Sequence, residues 1–316
     1  MKPILLGDIG GTNARFAFLA EDGLSRLEAM RVADYPSAVH AVETFLARHG
    51  GKQAIASMAL AVAGPVEGNR CALTNSPWVV DGAELRRKFG VASVRVINDF
   101  AAIAWSLPQL GPPDLFALGD GRAEPNAPML VLGPGTGLGL ACFVPGTGGG
   151  TVIATEGGHA TLPSTNARED AIIQHLRERF GHVSIERALS GGGLVNLYEA
   201  TATIDRISTP PRSAEEITRA ALDGTCPVGR AALDLFCALL GAVAGDLALT
   251  FGARGGVYIA GGIVPRFPDY LSRTEFRRRF EAKGRFRTYL EAIPAAVILR
   301  PDAAFAGLKS LMASAT

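Results

Sequence analysis

The side chains best placed for chemistry begin with Asp8, within Ile4–Phe18, ILLGDIGGTNARFAF. Gly10 and Gly11 lack a Cβ, so a bulky anion can approach their backbone N–H groups, and Thr12 and Asn13 add side-chain donors. A carboxylate in such a loop repels phosphate unless a cation lies between them, so Asp8 points to Mg²⁺ with a nucleotide. Neither familiar phosphate loop is present: no Gly-Lys-Ser/Thr ending follows, and no G-x-G-x-x-G opens a helix. A tight hairpin that uses glycines only for its turn fits the same residues. From Met129, MLVLGPGTGLGLACFV repeats the layout, with Gly133, Gly135, Thr136, Gly137 and Gly139 between two apolar runs. This second bend has no Asp, so if both grip one nucleotide, only the first holds the metal. The repetition suggests a duplicated fold; two unrelated hairpins are the alternative.

Four more places carry candidate groups. Asn98 and Asp99 end the apolar run VRVIND where the helix Phe100–Leu107 begins. Open α/β sheets bind ligands beyond the carboxyl ends of their strands, although helix capping alone would also explain Asp99. EGGHA sets Glu156 and His159 three residues apart on a glycine turn. As metal ligands they lack a nearby third partner, so binding several hydroxyls, as a sugar site needs, is their better use. Glu186 stands just before Ser190–Gly193, which opens another helix; a solvated acid is its plain alternative. Gly261 and Gly262 end GGVYIAGGIV and would let an adenine–ribose approach the backbone, as would an ordinary ligand-free turn.

The elements that must position these groups follow from periodicity and punctuation. Val39, Val42, Phe45 and Leu46 form one face of a helix over Pro36–Gly50, ended by Gly50–Gly51. Ala54–Ala63 reads as a buried strand, Leu73–Trp78 as a loop, and Asp81 with Glu84 as the start of a short helix closed by Gly90. Pro108, Gly111, Pro112 and Pro113 mark a domain boundary. Asn166–Gly181 is an amphipathic helix, Ser213 with Glu216 a capping box, Val297–Leu299 a strand, and Ala303–Ala313 a final helix packing back on the first domain. Val228–Phe251 is mostly apolar but carries Arg230, Asp234 and Asp246; its uncharged centre is too short for a bilayer, which predicts a buried helix. The basic run Arg277–Arg279 with Lys283 and Arg285 predicts a solvated helix face.

Composition bounds the function. A chain of 316 residues, 48% hydrophobic and 19% charged, can bury a large core and suggests two domains. With 31 basic and 30 acidic residues it has no electrostatic reason to bind nucleic acid or an anionic membrane. Cys71, Cys142, Cys226 and Cys237 are widely spaced without a C-x-x-C, so neither a zinc site nor a disulfide frame is indicated. Met1 leads directly into the first strand without a signal peptide, which predicts a cytoplasmic setting.

GDIGGTNARFAF, LTNSPW, VINDFAA, GPGTGLG, TEGGHA, HVSIERALSGGGLVNLYEA, GGIVPRF and AKGRF follow one another in this order over nearly the whole chain. As an ordered set they resemble the bacterial glucokinases outside the repressor–ORF–kinase group, within the hexokinase, actin and Hsp70 superfamily. The excluded group would show a zinc-binding cysteine cluster. The resemblance implies an α/β fold of two ribonuclease-H-like, actin-like ATPase domains with mixed sheets, a duplicated fold with a cleft between the halves. Residues 1–109 with 300–316 would form the small domain and 110–299 the large one. It implies that Gly7, Asp8, Ile9, Gly10, Gly11 and Thr12 form the ATP phosphate loop, with Asp8 near Mg²⁺ through water. Thr136 and Gly137 would belong to the second phosphate loop, and Gly261 and Gly262 to the adenosine site. Asn98, Asp99, Glu156, His159 and Glu186 would contact the sugar, with Asp99 as catalytic base. The implied reaction is ATP-dependent phosphorylation of D-glucose to glucose 6-phosphate by a homodimer. Competing readings are a kinase for mannose, fructose or an amino sugar, a sugar-responsive regulator, and an ATPase that needs no sugar.

Overall fold

The computed structural model describes residues 2–50, 55–74 and 76–314. Gly51, Ala54 and Asn75, expected at a helix end, a strand start and in a loop, lie outside the described residues. The chain divides into two compact units. One runs up to Leu110 and includes Thr147–Ala154 and the residues from Pro301 onward; the other is Gly111–Gly146 with Thr155–Arg300.

The first unit contains β1 (Ile4–Ile9), β2 (Asn13–Ala20), β3 (Gly23–Arg31), β4 (Ser57–Val62), β5 (Arg70–Ala72), β6 (Val79–Asp81) and β7 (Ser93–Asn98). Its helices are α1 (Ala38–His49), α2 (Gly82–Phe89), α3 (Asp99–Ser106) and the C-terminal helix Ala303–Ala313. Five strands form a mixed sheet in the order β3-β2-β1-β4-β7, while β5 and β6 pair separately. β1 is antiparallel to β2 and parallel to β4, which is parallel to β7. Both faces of the sheet are covered, so its central strands are mostly apolar, with Asp8 of β1 an exception. Alternation sorts the side chains: Leu5, Ile9, Phe16, Met58 and Leu60 pack with Phe45 and Leu46 of α1. Leu6, Ala17, Ala59 and Ala61 face Ala102 of α3 and Phe305 and Leu308 of the C-terminal helix. The small residues on that face let backbones approach, and at Gly307 an added Cβ would overlap the Ala102 carbonyl. The ends of α2 match the expected signals: Asp81 accepts from Ala83 and Glu84, and Gly90 is left-handed at φ +65°. At the start of α1, Ser37 Oγ accepts the His40 N–H, a cap beyond those expected from the sequence.

All of β11 (Thr151–Thr155) but Thr155 falls in the Thr147–Ala154 segment of the first unit. The second unit contains β8 (Leu115–Ala117), β9 (Met129–Pro134), β10 (Leu138–Val144), β12 (Gly256–Ile259) and β13 (Ala295–Ile298), in a sheet ordered β10-β9-β12-β13-β8. β9 is antiparallel to β10 and parallel to β12, which is parallel to β13; β13 and β8 are antiparallel. Its helices are α4 (Ala167–Phe180), α5 (Gly191–Ile204), α6 (Ala214–Leu222), α7 (Pro227–Phe251), α8 (Pro268–Ser272), α9 (Phe276–Glu281) and α10 (Arg287–Glu291). α7 is the central helix, packed against α5, α6 and α9. By length and composition it would suffice to cross a membrane, contrary to the expectation from its charges. Its apolar stretch is instead mostly buried, and Gly241 lets the backbone of Phe276 come close.

The basic run is not a solvated face. Arg279 is buried and donates to both carboxylate oxygens of the buried Glu169, at 2.7 and 3.1 Å. Arg277 donates to the carbonyls of Ile293, Leu290 and Glu291, and Lys283 to the carbonyl of Ala242 at 2.8 Å. Only Arg278 and Arg285 of the run are exposed. The cations tie α9 and its following turn to α4, α7 and α10, a use that depends on partners remote in sequence.

Candidate active site

Each unit carries one cluster of the candidate residues. In the first, β1, β4 and β7 run parallel and end together: Ile9 is level with Val62, and Val62 with Asn98. The bend after β1 and the pair Asn98–Asp99 after β7 therefore leave the same edge two strand spacings apart, about 10 Å. The bend is tight. Gly10 N–H donates to the Asn13 carbonyl at 2.9 Å, and Thr12 carbonyl accepts the Val32 N–H. Gly10 N–H is thus spent within the bend, leaving Gly11 and Thr12 at its tip, with Thr12 exposed.

Asp8 is not in the loop: it lies within β1, directly opposite Arg15 of β2. Its Oδ2 accepts from both Nε and Nη2 of Arg15, the former at 3.1 Å. Arg15 also donates to the Pro301 carbonyl at 3.2 Å and lies 5.6 Å from the centre of the Phe305 ring. The carboxylate just before the bend is thereby held by a cation on the neighbouring strand.

At the end of β7 the capping residue is Asn98, whose Oδ1 accepts the N–H groups of Phe100 and Ala101 at 2.9 and 3.1 Å. Its Nδ2 donates to the Gly64 carbonyl at 3.2 Å, linking the ends of β4 and β7. Asp99 is the first helical residue, half-buried, and accepts from the Phe100 N–H. Cys71 of β5 lies close enough to feel it. Burial pushes the Cys71 thiol above its ordinary value, and the negative charge of Asp99 adds to the shift. Gly64, at φ +155°, sits against the Cys71 sulfur, where a Cβ would approach to 3.0 Å. This surrounding of Asp99 by the Gly64 turn and β5 had no signal in the sequence.

In the second unit, the candidate residues gather around the bend between β9 and β10. Gly135 N–H closes onto the Gly137 carbonyl at 2.8 Å, leaving Thr136 exposed at the tip. Leu138 N–H, the first after the bend, donates to Glu186 Oε2 at 2.9 Å. Gly191 N–H, at the start of α5, donates to the Gly135 carbonyl at 2.8 Å. Gly261 and Gly262 follow β12 beside the bend, with Ile263 N–H on the Pro134 carbonyl at 3.3 Å. The two glycines differ in their reasons. Gly261 has φ +85°, and a Cβ there would overlap the Pro134 carbonyl; Gly262 has nothing within 4 Å of an added Cβ. Packing therefore requires the first and leaves the second unexplained.

Glu156 and His159 lie on an exposed turn in which His159 N–H donates to the Glu156 carbonyl. Thr161 bridges to Ser184 immediately beyond it, and Ile185 N–H donates to the Ala160 carbonyl, so this turn and the one carrying Glu186 are joined. The expected sugar contacts Glu156, His159 and Glu186 thus belong to one neighbourhood with Thr136 and Gly137. Among the described residues no cluster of three His, Cys, Asp or Glu could hold a metal ion.

Two mixed sheets, each with a glycine bend between its antiparallel strands, define an α/β protein whose candidate groups lie at strand ends, where such folds bind ligands. The sequence matches the glucokinase family over residues 5–315. It is 47% identical to a glucokinase of Paramagnetospirillum magneticum, over 98% of this chain and 97% of that protein. It is 44% identical to one of Nitrobacter hamburgensis, over 97% and 96%. A crystal structure of glucokinase from an Antarctic psychrotroph superimposes with a TM-score of 0.89 at 34% identity, covering 99% of each chain. The chain belongs to the glucokinase family and is an enzyme, a kinase.

Proposed function

We propose that the chain transfers the terminal phosphoryl group of ATP to the 6-hydroxyl of D-glucose, with Asp99 as base and the two glycine bends taking the phosphates. The observation that carries the assignment of Asp99 is its position. It leaves the same sheet edge as the Gly10–Asn13 bend, and Asn98 performs the capping that would otherwise account for an acid there. The substrate class rests on the glucokinase relatives.

A sugar hydroxyl has a pKa far above 7, so its proton must leave as the new P–O bond forms. With a loose transition state the base needs to be positioned rather than strong. Asp99 at the first turn of α3 is so positioned, because Asn98 fixes the helix start and ties it to the Gly64 turn. Glu156, His159 and Glu186 read hydroxyls; a site built to hydrogen-bond each hydroxyl rejects sugars lacking one, since its own groups then go unpaired. Gly262, which packing does not require, suits a nucleoside lying flat against the backbone. A single carboxylate is the kind of donor Mg²⁺ takes from protein, since that ion is held mostly by phosphate oxygens and water. Asp8 would hold it through water, and the ion would neutralise charge on the phosphates. Arg15, bound to one oxygen of Asp8, orients the carboxylate. The two sheets share the succession of an antiparallel hairpin followed by parallel strands, β2-β1-β4-β7 and β10-β9-β12-β13, which supports a duplicated fold of two ribonuclease-H-like domains. A homodimer, the family's usual state, is checked by light scattering.

The test is ADP release across a panel of hexoses, with Asp99→Asn as control. Release should require glucose and fall by about 10²–10⁴-fold in the variant. Near-normal turnover by Asp99→Asn removes the base assignment. Equal release without sugar favours a simple ATPase, and preference for another hexose moves the substrate.

A further inference from the structure

We propose that Glu186 is a positioning residue for the second glycine bend as well as a sugar contact, so that one carboxylate sets both the sugar side and the phosphate side. The sugar contact and the phosphate role of the bend both rest on the proposed function; the hold of Glu186 on the bend rests on the geometry within the second unit. The bend Gly135–Leu138 is gripped twice by one short segment. Glu186 Oε2 accepts the Leu138 N–H at 2.9 Å, and Gly191 N–H donates to the Gly135 carbonyl at 2.8 Å. That segment is itself braced: Ser190 Oγ donates to the Glu186 carbonyl and accepts the Gly193 N–H, both at 2.9 Å. Asn196 Nδ2 donates to the Arg187 carbonyl at 2.9 Å, and the Arg187 guanidinium lies over the Phe180 ring at 4.3 Å.

The carboxylate also explains a glycine. Gly137 has no positive φ, yet a Cβ there would come within 2.5 Å of Glu186 Oε2 and 3.3 Å of its Cδ. The obstacle is the end of a flexible side chain, so alanine at 137 would displace the carboxylate and break its bond to Leu138 rather than unfold the bend. Gly137 and Glu186 are therefore one device: the missing side chain makes room for the carboxylate that fixes the N–H after the bend. A sugar that engages Glu186 would do so on a group already committed to the phosphate bend. Its binding and that of the nucleotide are coupled through that single side chain.

The experiment is a double-mutant cycle of Gly137→Ala, Glu186→Ala and their combination, reading KM for ATP at saturating glucose and KM for glucose at saturating ATP. Circular dichroism shows that each variant is folded, and titration with a non-hydrolysable ATP analogue replaces KM where turnover is too slow. A charge-assisted hydrogen bond to a backbone N–H corresponds to a loss of about ten-fold when removed. The expected result is a KM for ATP raised by about that factor in each single variant and no further in the double, because both changes break the same bond. Glu186→Gln, which keeps an acceptor, should lose less. A KM for ATP within about two-fold of the wild-type value in Glu186→Ala would overturn the proposal, as would single-variant losses that multiply in the double. If instead the KM for glucose stays unchanged while that for ATP rises, the sugar role of Glu186 falls and its hold on the bend stands.

Discussion

Replacing Glu169 by Gln should destabilise the second unit severely, although Glu169 touches none of the candidate site residues. Its side chain is 3% exposed and that of Arg279 10%, and the two share a pair of parallel hydrogen bonds at 2.7 and 3.1 Å. Thr165 adds its backbone N–H at 2.8 Å and its hydroxyl at 3.1 Å to the same carboxylate. Glutamine preserves volume and one acceptor but leaves the Arg279 cation buried without a counter-charge. Breaking a buried pair in this way costs about 3–5 kcal/mol. That is a large part of an ordinary stability of about 5–15 kcal/mol. Urea titration followed by far-UV circular dichroism should show the midpoint falling by roughly 1–2.5 M, given slopes of about 2–3 kcal/mol per molar. The pH dependence supplies a second readout. Burial alone would raise the Glu169 carboxyl, but the hydrogen bonds from Arg279 and Thr165 outweigh it and hold the carboxyl below its ordinary 4.5. A folded value below the unfolded one gives stability that is fully present above pH 4.5 and lost as pH falls through the lowered value. Wild type and Glu169→Gln should therefore converge in stability on acidification. Glu169→Met with Arg279→Met removes both charges and should recover most of the loss. A single-variant cost below about 1 kcal/mol, or a double variant that loses the sum of both singles, would refute the buried-pair reasoning.

Three further outcomes are expected. Gly307→Ala sets a Cβ into the Ala102 carbonyl and should force the C-terminal helix off α3, lowering the unfolding temperature by several degrees with the second unit unaffected, as read by hydrogen exchange. Asn98→Ala removes the cap of α3 and should cost about 1 kcal/mol in stability. Because it also frees the helix start that carries Asp99, kcat should fall more than KM for ATP rises; an unchanged kcat would separate the cap from the base. Glu156→Gln should raise KM for glucose while leaving the melting temperature unchanged, since Glu156 is exposed; an unaltered KM would remove it from the sugar contacts.

Local signals were the most legible. The Ser213–Glu216 capping box, the amphipathic helix between Asn166 and Gly181, the helix-closing Gly90 and the long α7 all follow from residues close in sequence. The partnerships that cross the chain were not. Asp8 reads as a loop residue because Asp disfavours strands, yet β1 runs through it: Arg15 stands opposite and satisfies its charge. Arg277, Arg279 and Lys283 read as solvated because their partners lie on other helices or are main-chain carbonyls, invisible to composition. At the candidate site, capping reads from the sequence as the plain alternative for Asp99, and backbone geometry assigns that role to Asn98 instead. The positions of Thr136, Gly137, Glu156, His159 and Glu186 were readable as motifs, but their convergence was not, because it depends on the Thr161–Ser184 bridge and on the Glu186–Leu138 bond.

The C-terminal helix has a consequence for how the protein is made. One layer of the first unit is supplied by the helix Ala303–Ala313, which is translated only after most of the stretch that follows Leu110. On a ribosome adding about 5–20 residues per second, the strands β1, β2 and β4 wait on the order of 10–40 s before that layer exists. During this interval the alanine-lined face around Leu6 and Ala59 is open to the cell's chaperones, and the opening strands of the chain are among the last to reach their final packing.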